Sequence, residues 1–178
     1  MTRKSNTAVL HVCEGTLARS IGDNVRVARE SLSWTLAHAA QRLALSEAQL
    51  QQVEAGKRLP GLYVFLKLLT VYELDADELL GWRATNQPLD KVTAVIPLGA
   101  VPQAVGMAVL NARCSLGLSR THVAARLGIT RDELGHIEQW DTYPDLLLLA
   151  RLVEEFDLCA DALLRQPASH STPETEQA

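Results

Sequence analysis

Ser46-Glu-Ala-Gln-Leu-Gln-Gln-Val-Glu-Ala-Gly-Lys-Arg-Leu-Pro60 carries its own start and stop signals. Ser46 and Gln49 stand at the spacing of a capping box, in which each side chain satisfies an orphan backbone N–H at a helix start. Leu45 and Leu50 flank that cap where a hydrophobic staple would fix the entry angle of the chain. Gly56 offers the left-handed residue that ends a helix, and Pro60 prevents its quick resumption. The pattern predicts a helix of about ten residues with Leu50 and Val53 on its apolar side. Glu47, Ala48, Gln49, Gln51 and Gln52 form the outer side. A short, amide-rich helix followed by Lys57 and Arg58 suits presentation to a groove better than burial in a core.

The same pattern occurs twice. Shifting the sequence by 84 residues aligns 22–80 with 106–164 without a gap, and 20 of the 59 paired positions are identical. Among the identities are Gly22/Gly106, Arg29/Arg113, His38/His122, Leu50/Leu134, Glu54/Glu138, Pro60/Pro144 and Asp77/Asp161. A long period present only twice indicates a duplicated domain, since a solenoid needs three or more units.

Each copy reads as five helices. In the first, Leu17, Ile21, Val25, Ala28 and Leu32 recur at helical spacing. Thr35 is the N-cap of a second helix reaching Leu43, with Trp34 as staple residue. The Ser46 helix is third, 61–72 an apolar fourth, and Asp75–Leu80 a short fifth. The second copy is expected at 102–116, 119–127, 130–139, 145–156 and 159–165. His38 and His122 sit where a capping-box acid would stand and read as surface or capping histidines. The expected organisation is an N-terminal arm at 1–15, a first domain at 16–81, a linker at 82–100, a second domain at 101–165 and a disordered tail at 166–178. Residues 7–12 and 93–98 resemble one another, and pairing them would give a small two-stranded ribbon, the plainer alternative being an apolar linker.

Composition narrows the function. Apolar residues make up 47% of the 178 but aromatic ones only 4%, an Ala- and Leu-rich balance that favours helix over sheet. No apolar run is long enough to span a membrane, and the first residues are too weakly apolar for a signal peptide. Cys13, Cys114 and Cys159 are scattered, with no paired spacing, and read as reduced thiols of a cytoplasmic protein. No nucleophile–base set, metal-ligand spacing or phosphate loop stands out, so neither an enzyme nor a cofactor or metal is expected. A formal charge of −4 argues against indiscriminate coating of nucleic acid.

Two helices joined by a tight turn inside a five-helix unit is the helix-turn-helix arrangement. The helix Thr35-Leu-Ala-His-Ala-Ala-Gln-Arg-Leu43, the turn Ala44-Leu45-Ser46 and the run Val53-Glu-Ala-Gly-Lys-Arg-Leu-Pro60 resemble the phage-repressor, or XRE/Cro-like, helix-turn-helix family. The resemblance implies an all-α fold of two tandem domains and sequence-specific binding of double-stranded DNA. It also implies that Arg29 with Glu54, and Arg113 with Glu138, tie the first helix of each copy to the end of the third. Thr35, with exposed amides, would then touch the phosphate backbone, Glu47, Ala48, Gln49 and Gln52 would meet the base edges, and Ser46 belongs to the same DNA-binding set. Lys57 and Arg58 would hold phosphates beyond the helix. In the second copy Ser119, Arg120, Arg131 and His136 are the corresponding candidates.

That second copy departs from the family pattern at Gln139-Trp-Asp-Thr-Tyr-Pro144. Trp140 replaces the glycine and Asp141 the lysine, which points to Trp140 and Tyr143 as a protein contact. One competent head would call for a homodimer on half-sites about 10 base pairs apart. The alternative reading is a helix-turn-helix scaffold kept for protein–protein interaction, an anti-activator or adaptor without DNA binding.

Overall fold

Ten α-helices follow one another in a computed structural model that describes residues 12–82 and 94–165. The first five are α1 (Glu14–Ser31), α2 (Leu36–Leu43), α3 (Glu47–Glu54), α4 (Leu62–Tyr72) and α5 (Ala76–Leu79). The second five are α6 (Val101–Ser115), α7 (Arg120–Leu127), α8 (Arg131–Glu138), α9 (Leu146–Glu155) and α10 (Ala160–Leu164). No strand occurs among the described residues, so the architecture there is all-α. Of the expected ribbon between 7–12 and 93–98, residues 7–11 and 93 lie outside the described ones, as do the arm before Val12 and the tail after Arg165. Of that ribbon, Val95 makes an isolated antiparallel bridge with Arg165, and the Ile96 amide donates to Leu164 O at 2.9 Å.

Local chemistry sets the helix limits. Thr35 and Ser119 each accept a hydrogen bond from the backbone N–H three residues on, satisfying one orphan donor of α2 and α7. Asp145 does the same for α9, and Asp75 accepts from both Asp77 N and Glu78 N at the head of α5. The left-handed residue closing α2 is Ala44, whereas α7 ends on Gly128. Helix α1 begins one turn earlier than the apolar spacing suggested. Its first turn, Glu14-Gly-Thr16, is exposed and therefore left no periodic signal.

One apolar face of each helix is buried. Ile21, Val25, Leu43, Leu50, Phe65, Leu68 and Leu79 of α1–α5 and Val105, Val109, Leu134, Leu149, Leu152 and Leu164 of α6–α10 belong to one continuous buried apolar cluster. Removing each such side chain from water is worth about 1.5–3 kcal/mol. Packing repeats as well: α1 lies on α3 and α5 and α2 on α3 and α4, while α6 lies on α8 and α10 and α7 on α8 and α9. The first set meets the second through α5 against α10.

Gly22 and Gly106 decide how closely the long helix of each set approaches the third. A Cβ on Gly22 would stand 3.0 Å from both Glu54 O and Gly56 N and closer still to Val53 O. On Gly106 it would strike Ile137 O and the ring of Trp140. Only hydrogen fits between these backbones.

Candidate nucleic-acid interface

The Ser46 helix forms as its sequence predicts. Ser46 Oγ accepts from Gln49 N at 3.2 Å, and Gln49 Oε1 accepts from Ser46 N at 2.9 Å, completing the reciprocal cap. Leu50 and Val53 are buried against the core, and Gly56 takes φ +63° just past the helix end. Ser46, Glu47, Ala48, Gln49, Gln51 and Gln52 are all exposed, as are Thr35, Lys57 and Arg58. The expected base-edge and phosphate candidates are therefore all open to solvent. Among the described residues, Lys57 and Arg58 form no ion pair. The cap distinguishes the two glutamines, because Gln49 Oε1 is occupied at Ser46 N while the Gln52 amide makes no hydrogen bond among the described residues.

Behind α3, the Arg29 guanidinium meets Glu54 in a fork, Nε to Oε1 at 2.7 Å and Nη2 to Oε2 at 2.9 Å. Its Nη1 donates to Trp34 O at 3.0 Å, so one side chain joins α1, the entry to α2 and the end of α3. Arg113 repeats this with Glu138, through Nε and through Nη2 at 3.0 Å, and with Leu118 O at 2.9 Å. Paired and hydrogen-bonded, Arg29 and Arg113 hold their protons more tightly than a free arginine. Arg26 adds a hydrogen bond from Nη2 to Glu54 O.

The second set differs at the surface. Arg120, expected at the DNA face, gives its Nε to Glu138 Oε2 at 2.7 Å, and Leu36 occupies the equivalent place in the first set. Glu138 is thus held by two guanidiniums. Arg131 and His136 stand exposed on α8, where they line a shallow depression with Arg120, Asp132, Gly135 and Gln139. His136 Nδ1 lies 3.5 Å from Asp141, and Ser119 caps α7. Trp140 adopts φ +68°, the left-handed backbone that Gly56 uses in the first set. That conformation costs an ordinary residue about 1–2 kcal/mol. The indole lies against Gly106, so Trp140 is half covered, 46% exposed, while Tyr143 is 56% exposed.

Glu138 has a consequence for stability against pH. Burial pushes its carboxyl up, but the hydrogen bonds and charges of Arg113 and Arg120 outweigh that and hold it below the usual glutamate range. A depressed folded-state value contributes stability that is fully present above the unfolded value, about pH 4.3, and is lost as pH falls through the folded one. Glu138→Gln is therefore expected to cost most near neutrality, with the difference from wild type shrinking below about pH 4.3 in denaturant titrations. A difference independent of pH would show that the charge of Glu138 contributes nothing.

Among the described residues no group of three or more His, Cys, Asp or Glu could hold a metal ion, and no helix is long and apolar enough to cross a membrane. A family model described as a helix-turn-helix domain matches residues 20–81, the span from within α1 to just past α5. No curated protein matches the chain. No solved structure matches it either.

Proposed function

We propose that the protein is a sequence-specific DNA-binding transcriptional regulator that inserts α3 into the major groove. The observation that carries this reading is the side-chain set of α3, open to solvent and backed by the buried Arg29–Glu54 fork. The helix-turn-helix match at 20–81 supports it, and the phage-repressor-like character noted in the sequence fits the same residues. The two sets of helices are read as tandem domains of this type.

Gln52 can donate to and accept from adenine in the bidentate manner, Ala48 can meet a thymine methyl, and Glu47 can accept from cytosine N4. Gln49, with its oxygen at the cap, offers its amide N–H donors. Thr35, Ser46, Lys57 and Arg58 face the backbone phosphates and set register. Residues 20–81 contain 6 basic and 8 acidic residues, so affinity comes from these placed groups and not from a general positive field.

The test is a mobility shift on the DNA upstream of the protein's own coding sequence across a series of salt concentrations. Wild type is expected to retard it, with Lys57→Ala weakening all sequences alike and lowering the salt slope by about one phosphate. Failure of wild type to shift DNA at low salt would overturn the reading.

A second reading draws on the loop after α8. Trp140 and Tyr143 are exposed beside Asp141, which phosphate would repel, so this end suits a protein partner and the chain would act as an adaptor.

A further inference from the structure

The contact between α5 and α10 has a symmetry that an incidental packing contact lacks. The Asp77 carboxylate, in the first turn of α5, accepts from Ala160 N at 3.0 Å and Asp161 N at 3.3 Å at the head of α10, and the Cys159 thiol donates to it at 3.0 Å. In return Asp161, in the first turn of α10, accepts from Ala76 N at 3.1 Å at the head of α5. Asp77 and Asp161 are separated by the 84-residue repeat, and so are Ala76 and Ala160. Each aspartate therefore satisfies the orphan N–H of the residue equivalent to its own neighbour. Residue i meets j while the copy of i meets the copy of j, which is the mark of an isologous, two-fold interface.

Physical chemistry explains the pairing. Two helix starts brought together leave backbone donors facing one another with no partner and partial positive charges opposed. A carboxylate from each side supplies acceptors and the opposite charge. Arg165 then stitches the seam, donating from Nε to Asp161 at 2.6 Å and from Nη2 to Leu74 O. The seam uses short helices of four and five residues. Residues 83–100 join the two sets covalently, so the contact forms at an effective concentration near millimolar.

We propose that the α5–α10 seam is an internal dimer interface, so that one chain presents α3 and α8 together to a single duplex with two unlike half-sites. This rests on the DNA-binding reading above. The halves differ because the reading faces differ: Glu47, Ala48 and Gln52 on α3 are replaced by Arg131, Asp132 and His136 on α8. Arginine at that position favours guanine O6 and N7, where α3 offers a carboxylate that cannot bind them. The second head that a lone α3 would seek in another copy of the chain is already present in the same chain.

The experiment uses the full chain. Sedimentation equilibrium without DNA is expected to give the mass of one chain, 19.5 kDa, across micromolar concentrations; twice that mass overturns the proposal. Selection from a random duplex pool is expected to enrich two dissimilar blocks about 10 base pairs apart, with native mass spectrometry showing one chain per duplex. Two chains on a palindrome would overturn the internal dimer while leaving DNA binding intact. No enrichment would overturn DNA binding, and with it the two-half-site claim. The seam has its own readout, because Asp77→Ala should speed amide exchange at Ala160 and Asp161 by about tenfold. If that variant does not fold, Asp161→Ala is read at Ala76 in the same way. Unchanged exchange at the opposing helix would mean that the aspartates do not hold the seam.

Discussion

Glu54→Ala is expected to lower stability by about 3 kcal/mol, the cost of leaving a largely buried guanidinium without its counter-charge. Glu54 side-chain exposure is 7% and that of Arg29 is 15%, so water reaches the orphaned arginine only in part. Arg29 would keep its hydrogen bond to Trp34 O but lose both arms of the fork. For a chain of this length the loss corresponds to a fall in melting temperature of about 6–12 °C. Glu47→Ala, on the exposed side of the same helix, should stay within about 0.5 kcal/mol. Equal melting temperatures for Glu54→Ala and wild type would mean that the fork does not hold α1 to the end of α3.

Gly22→Ala should be nearly as damaging, although it adds a single methyl group. Overpacking costs about 1–3 kcal/mol when side chains can give way, and more when they cannot. Here the obstacles are Val53 O, Glu54 O and Gly56 N, all backbone at the end of α3. The methyl can be accommodated only by moving α3 away from α1, which also stretches the Arg29–Glu54 fork. The variant is therefore expected to lose DNA affinity along with stability, whereas Gly15→Ala, with open space around its Cβ, should do neither. Chemical denaturation of the two variants side by side checks this. An unaffected Gly22→Ala would refute the close approach of α1 and α3.

Much of this was readable in the chain because the determinants are local. The Ser46–Gln49 box, the left-handed Gly56 and the N-cap Thr35 act within a few residues, and sequence spacing carries them completely. The Arg–Glu pairs bridge 25 residues, and the family resemblance supplied what local reasoning could not. What the sequence hid depends on tertiary position. Asp77 and Asp161 stood out as a matched pair, yet an acid in a first helical turn reads as a complement to its own helix dipole. Only the packing of α5 on α10 turns each toward the other copy. Arg120 looked like a groove residue because it opens a helix, and its pairing with Glu138 follows from geometry that no spacing rule expresses. Trp140 signalled an altered loop, but its partial cover over Gly106 depends on how closely α8 approaches α6.

The claim that α3 reads the bases is tested most directly by comparing Gln52→Ala with Arg131→Ala on one operator fragment at fixed salt. Base preference is measured at every position of the fragment. Gln52→Ala is expected to relax preference at one position of one half-site, with a penalty of about 1–3 kcal/mol there, and Arg131→Ala to act on the other half-site with a smaller loss. Abolition of binding by Arg131→Ala with Gln52→Ala unchanged from wild type would contradict it, placing the principal reading head on α8.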